Sequence, residues 1–246
     1  IYYTLTALTL SLTSCNDLLD RMPDNRLVID SPEKVQQALT NAYPQIATTL
    51  INEFSSDNID DIGADNIYSN FLTRETAYWQ PILEYNNVDG LQNIWDYHYK
   101  AIGQANAALD AIETTLHNDA SLNPAKGEAL VARAYAHFCL VNLFSQAYNP
   151  NTSSSDLGIP YITRPEEEMN PQRQRGTVAQ VYQQIAADLE KGLPLIDDSY
   201  YQMPKYHFNK KAAYAFAARF YLYYQQWQKA LEAANVVLTT NDATTK

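Results

Sequence analysis

Apolar residues recur along most of the chain with a helical period. Val35, Leu39, Ala42, Ile46 and Leu50 step by three and four positions, the spacing that lines one face of an α-helix. Ser31-Pro32-Glu33 ahead of them supplies a capping hydroxyl, a proline at the first helical position and an acid in the first turn, so the helix should start there. Pro44 lacks the N–H that a helix interior needs and predicts a kink or interruption. The period returns with Leu91, Trp95, His98, Ile102, Ala105, Leu109, Ile112 and Leu116. A helix over about 124–147 is apolar nearly all round and is expected at the centre of the fold. Thr177 caps a further helix carrying Val181, Ile185, Ala186, Leu189 and Leu193, which Pro194 stops. Asn209 opens another to about Tyr224, and a last one runs from Trp227 to about Leu238. No segment reads as a strand, and the predicted class is all-α.

Two stretches lose the period. Residues 149–176 are rich in Asn, Ser and Pro, and residues 52–90 are dominated first by Asn, Asp and Ser and then by Tyr68, Phe71, Tyr78, Trp79 and Tyr85. Both read as long loops, and a loop of that length inside a compact domain is usually functional. Ala217, Ala218, Tyr221, Trp227, Ala230 and Leu238 fall at the spacing of a tetratricopeptide unit, with Ala234 where that motif prefers an aromatic. Residues 125–147 and 177–194 make a second such helix pair. The predicted architecture is a short tetratricopeptide-like solenoid with long irregular loops.

Composition narrows the function classes. With 17 Lys and Arg against 28 Asp and Glu, the net charge is −11, which argues against nucleic acid, whose phosphates need a basic face. Tyrosine is over-represented, with 19 copies against 7 glycines. It serves either helix packing, with the hydroxyl reaching a polar partner, or ring stacking on a ligand. No glycine-rich phosphate loop, Cys-x-x-Cys pair or His-Glu-x-x-His is present. His98 lies on an apolar stripe and His137 among Ala, Phe and Leu, which marks both as structural. The acidic run from Asp57 to Asp65 lacks the twelfth-position glutamate of a calcium loop. Helical acids such as Asp188 and Glu190 read as solvated faces. Neither a catalytic residue, a metal site nor a cofactor is implied, and an enzyme is not expected.

The start of the chain has a different character. Residues 1–12 are uncharged and apolar or hydroxylic, too few to cross a bilayer as a helix, and they fit the hydrophobic region of a secretory signal. Leu12-Thr13-Ser14-Cys15 then offers a leucine, two small residues and a thiol, the pattern of lipoprotein processing. The expected organisation is a signal remnant over 1–14, a lipidated tether from Cys15 to residue 31 and a helical domain from 32 onward. Cys139, in an apolar helical run, is left as buried packing.

Several of these segments together resemble one family. Ser14-Cys15-Asn16-Asp17-Leu18-Leu19-Asp20 with Pro23 is similar to the start of SusD/RagB-like outer-membrane lipoproteins, and Gly127 to Phe138 resembles the family's most recognisable helix. Leu157-Gly158-Ile159-Pro160-Tyr161, the helix around Val181-Tyr182, and Asn209 through Trp227-Gln228-Lys229-Ala230 are similar in the same order; Ser145 departs, standing where a glycine usually follows the aromatic. The resemblance implies the N-terminal part of a protein about twice this long. It implies a non-catalytic lid, anchored by lipid on the outer face of the outer membrane. Such a lid captures glycans, or peptides in RagB-like members, for a SusC-like TonB-dependent transporter. It also implies that the region after the first helix contacts the ligand, here Tyr68, Asn70, Arg74, Tyr78 and Trp79. A repeat scaffold that docks a partner protein and holds no small ligand is the alternative.

Overall fold

The computed structural model describes residues 28–61, 63, 70–83, 87–166 and 173–239. The signal remnant, Cys15, most of the tether and Tyr68 lie outside the described residues. Within them are eight α-helices: α1 (Pro32–Thr40), α2 (Thr49–Phe54), α3 (Phe71–Ala77), α4 (Leu91–Glu113), α5 (Asn123–Phe144), α6 (Val178–Gly192), α7 (Lys210–Tyr223) and α8 (Trp227–Thr239). An isolated antiparallel bridge between Leu157 and Thr177 is the extent of β-structure among the described residues. No described helix is long and apolar enough to cross a membrane.

Helix starts follow the local signals. The Ser31 hydroxyl accepts from the Lys34 N–H at 3.4 Å, with Pro32 at the first helical position. Thr177 and Gln180 form a reciprocal capping box on α6, and the Asn209 side chain accepts from the Ala212 N–H at 2.9 Å to open α7. The run from Val35 to Leu50 is two elements. Its first half, Val35, Leu39 and Ala42, clusters with Ala105, Ala108 and Ala129. Past Pro44, Ile46 and Ile51 join a separate cluster with Leu72 and Ile94.

The 52–90 stretch is not loop throughout. Asn70 and Thr73 close a capping box on α3, using threonine where glutamate or glutamine is usual. Leu72 is fully buried against Ile51 and Ile94, a burial that contributes about 1.5–3 kcal/mol. One apolar anchor and a good cap suffice for two turns, and neither produces a visible period.

Helix α5 is the axis of the molecule. Its buried positions include Ala125, Ala129, Val131, Ala134, Phe138 and Val141 and so run round the whole helix. It lies between α4 and α6. At the crossing with α6 the backbones nearly touch: a Cβ on Gly127 would fall 2.8 Å from the Gly192 carbonyl oxygen, and one on Gly192 would fall 3.0 Å from that of Gly127. Gly158 is used the same way. Its N–H donates to the Gly176 carbonyl at 2.8 Å, and a Cβ there would strike the Thr177 carbonyl. The 157–162 segment is thereby pressed onto the start of α6.

In the α7–α8 pair, Ala217, Tyr221 and Ala230 are buried as the repeat motif requires. Trp227 and Leu238 are not; Leu238 is 82% exposed. Ala230 and Ala233 are the buried residues of α8, and Trp227 and Leu238 stay exposed. Tyrosine serves packing first. Tyr99 donates to the Pro160 carbonyl at 2.7 Å and Tyr182 to Asn142 at 3.2 Å, each ring half or fully buried. Cys139 is free, and burial pushes its thiol up to about 11.

One expectation fails inside the core. Asp188 is only 5% exposed and receives two bonds from Arg133, Nε and Nη2 each at 2.7 Å. Glu190 does face solvent, paired with Lys229 at 2.7 Å. The remaining guanidinium nitrogen of Arg133, Nη1, donates to Asn106 at 2.8 Å and to the Thr163 carbonyl at 3.2 Å. Asn106 in turn donates to the Ile162 carbonyl at 3.0 Å, and Tyr161 donates to Asp188 at 2.6 Å. Bidentate geometry with the other groups satisfied is what makes a buried pair tolerable. His137 completes the network. Its Nδ1 donates to the Arg133 carbonyl at 2.8 Å, its Nε2 accepts from the Ile162 N–H at 3.1 Å, and its ring stacks on Tyr161 at 3.8 Å. His98 is also structural, bonding the Ile94 carbonyl at 2.7 Å.

Two measurements check this frame. Gly127→Ala should cost about 1–3 kcal/mol through overpacking and lower the melting temperature by about 2–10 °C; an unchanged melt in circular dichroism would contradict the close crossing. Burial, followed by the nearby Arg133 charge, lowers the His137 pKa to about 3 from 6.5. The unfolded chain therefore binds a proton on this ring between pH 6.5 and about 3 that the folded chain refuses, and His137 withdraws stability as pH falls through that window. Denaturant titrations from pH 7 to 4 should show a shallower loss in His137→Gln than in the parent protein.

Candidate functional site

The helix α3 and the residues after it hold most of the predicted contact residues, and they form one exposed surface. Leu72, Thr73 and Thr76 are turned inward. On the outer side stand Phe71, Arg74, Tyr78 and Trp79, all exposed. The Arg74 guanidinium carbon lies 4.8 Å from the centre of the Phe71 ring, a cation–π contact that presents both groups together. Asn70, expected to bind a ligand hydroxyl, uses its side-chain oxygen to accept from the Thr73 N–H at 2.8 Å. The Tyr78 hydroxyl donates to the Asp61 carboxylate, and Asp61 also accepts from the Gly63 N–H at 2.7 Å. These bonds hold the Asp61 carboxyl below its usual pKa, the Tyr78 contact being the larger cause. An acid from the Asp-rich run thus orients an aromatic ring. Among the described residues, no three His, Cys, Asp or Glu side chains lie together as a metal site would require.

Trp79 is the unusual member. The Gln80 N–H bonds to the Glu75 carbonyl at 2.8 Å and the Trp79 N–H to the Thr76 carbonyl at 3.1 Å. That pair of bonds is a Schellman close of α3, in which the residue after the cap takes a left-handed conformation and is usually glycine. Here that residue is tryptophan, at φ +53° and 79% exposed. A bulky side chain in this region is disfavoured by about 1–2 kcal/mol, and the exposed ring recovers little of this from burial. Strain of this kind concentrates at binding and catalytic positions. The Glu75 carboxylate accepts from the Leu83 N–H at 2.9 Å, which fixes the chain as it leaves the site and keeps Leu83 exposed beside it.

Sequence reasoning reached Arg74, Tyr78 and Trp79 as aromatic and cationic residues in a long irregular stretch. It missed Phe71 as a stacking partner and Asp61 as the tyrosine's acceptor. The Asn70-x-x-Thr73 spacing is the one local signal for the helix that displays them. The partner of Tyr78 lies 17 positions away and leaves no such trace.

A family profile described as "SusD-like_3: Starch-binding associating with outer membrane" matches residues 17–222. Among solved structures, a SusD superfamily protein from Bacteroides thetaiotaomicron is 25% identical with a TM-score of 0.66, over 85% of this chain and 46% of its own. A putative sugar binding protein from Bacteroides vulgatus is 22% identical with a TM-score of 0.68, over 87% of this chain and 47% of its own. A laminarin binding SusD-like protein is 19% identical with a TM-score of 0.63, over 86% and 44%. The chain spans less than half the length of these three proteins. No curated protein matches it. The helical frame built on α5 and the profile match over most of the chain agree, and the chain belongs to the SusD-like family.

Proposed function

We propose that this protein captures glycans at the outer face of an outer membrane and delivers them to a SusC-like TonB-dependent transporter, held in place by lipid on Cys15. The observation that carries the ligand site is Trp79. An exposed tryptophan occupies a left-handed position where glycine would cost less, so its presence calls for a use outside folding. The C–H faces of a pyranose meet the negative face of such a ring favourably, and the exposed Arg74 guanidinium supplies hydroxyl-binding donors. The family description supports a polysaccharide ligand, and two of the neighbours named above are described as sugar or laminarin binding. A glycosidase needs two carboxyls flanking the scissile bond, and among the described residues the Asp61 and Glu75 carboxylates are already engaged, with the Tyr78 hydroxyl and the Leu83 N–H. Non-catalytic capture is the reading we adopt.

The test is Trp79→Gly in the full-length protein. Glycine suits the left-handed close, so the melting temperature should stay level or rise. Titration calorimetry with laminarin and with starch oligosaccharides should show affinity weakened about three- to tenfold through loss of the ring. Unchanged affinity for every bound glycan would remove Trp79 from the site; binding of peptides and of no glycan would favour the RagB-like alternative. For the anchor, Cys15→Ala should abolish incorporation of labelled palmitate and release the protein from the membrane fraction, and continued labelling would refute the assignment.

A further inference from the structure

A concave site lies between the α1–α2 connection, α5, the segment before α7 and α7 itself. It is a cavity of about 630 Å³, open to solvent, within the roughly 300–1,000 Å³ typical of small-molecule sites. Five aromatic rings line it: Tyr43, Tyr135, Tyr206, Phe208 and Phe216. The charged side chains at its wall are Lys205 and Arg219, with His207 beside them, and no carboxylate is among the lining residues. In a chain of net charge −11, this lining carries two cationic side chains and no carboxylate. Among the described residues, neither Lys205 nor Arg219 forms an ion pair, while Lys34, Arg133 and Lys229 do.

The walls are held before any ligand arrives. Glu128, fully buried, accepts from the Tyr43 hydroxyl and from His207 Nδ1 at 2.8 Å. The Tyr43 oxygen accepts in turn from the Phe208 N–H at 2.7 Å. Tyr43 stacks on Phe208 at 5.5 Å, and Tyr135 meets both Phe208 at 5.7 Å and Phe216 at 5.3 Å edge-on. The Glu128 carboxylate is therefore held behind the wall, bonded to the residues that form it. Fixed aromatic faces beside unpaired cations provide stacking and charge recognition together.

We propose that this cavity binds an acidic saccharide, with uronic-acid rings stacked on its aromatic wall and their carboxylates paired with Arg219 and Lys205. The saccharide class rests on the glycan-capture reading above; the acidic character rests on this cavity alone and does not involve Trp79. The experiment is titration calorimetry of the full-length protein with a galacturonic-acid trisaccharide, the neutral galactose trisaccharide and a tripeptide of glutamate. The acidic trisaccharide should bind, the neutral one at least about tenfold more weakly. Arg219→Ala should lower affinity for the acidic trisaccharide about tenfold or more, since a bond to a charged group carries roughly that factor. Lys205→Ala should lower it by less, Arg219→Lys should retain part, and Trp79→Gly should leave it unchanged. Both cations are exposed, so the variants should melt with the parent. No binding of the acidic trisaccharide, binding insensitive to Arg219, or equally tight binding of the glutamate peptide would each overturn the proposal. Failure here together with Trp79-dependent capture of laminarin or starch oligosaccharides would leave glycan capture standing. Cavity binding with no neutral glycan bound anywhere would reject the Trp79 site and keep this one.

Discussion

The bidentate pair between Arg133 and Asp188 is the constraint on which the rest of the structure depends. It joins the central helix α5 to α6 and, through Asn106, to α4. The one nitrogen not used on Asp188, Nη1, reaches the Thr163 carbonyl of the 161–164 segment. A guanidinium and a carboxylate taken this far from water are unfavourable unless every remaining donor and acceptor is met. Here Asn106, Tyr161 and the Thr163 carbonyl meet them, and His137 does the same for the adjacent Ile162 N–H. The segment between α5 and α6 is thus folded by its polar partners and pressed down at Gly158 by shape. The close approach of Gly127 and Gly192 sets the distance at which the pair can form.

On that frame two surfaces are displayed by opposite strategies. At α3 the aromatics project outward and their polar groups are oriented by short local contacts, Tyr78 on Asp61 and Asn70 on Thr73. At the cavity between α5 and α7, Tyr43 stacks on Phe208, Tyr135 meets Phe208 and Phe216 edge-on, and the buried Glu128 anchors Tyr43 and His207. Both use tyrosine and phenylalanine, yet most of the tyrosines elsewhere are spent on helix contacts. Composition could not divide the two uses because the ring is the same and only its surroundings differ.

The helical order was legible because its signals are local. Ser31-Pro32, Thr177 with Gln180, and Asn209 cap helices from within four residues, and the apolar period of α4 and α6 needs no partner to be seen. What was not legible depends on distant groups. Asp188 reads as a solvated helical acid until Arg133, 55 positions earlier, is brought beside it. The break at Pro44 in the stretch from Val35 to Leu50 was legible, but not that its halves enter different cores. Helix α3 was hidden because one leucine carries its burial. Trp227 and Leu238 fit a repeat by spacing, but the alanines between them take the contact. At the candidate site, residue type and an irregular setting pointed to Tyr78 and Trp79; their exposure and the left-handed backbone of Trp79 came only from the fold.

Helix α3 is fastened by Leu72 and by a cap and a close of its own making. Among the described residues, its outward side chains share no partner with the Arg133 network or with the α5–α6 crossing, and perturbations at sites without shared partners combine additively. The outer face can therefore be rewritten one residue at a time while the frame keeps its stability, so that specificity and foldedness drift under separate selection. A lineage with this arrangement can change what it holds without relearning how to fold.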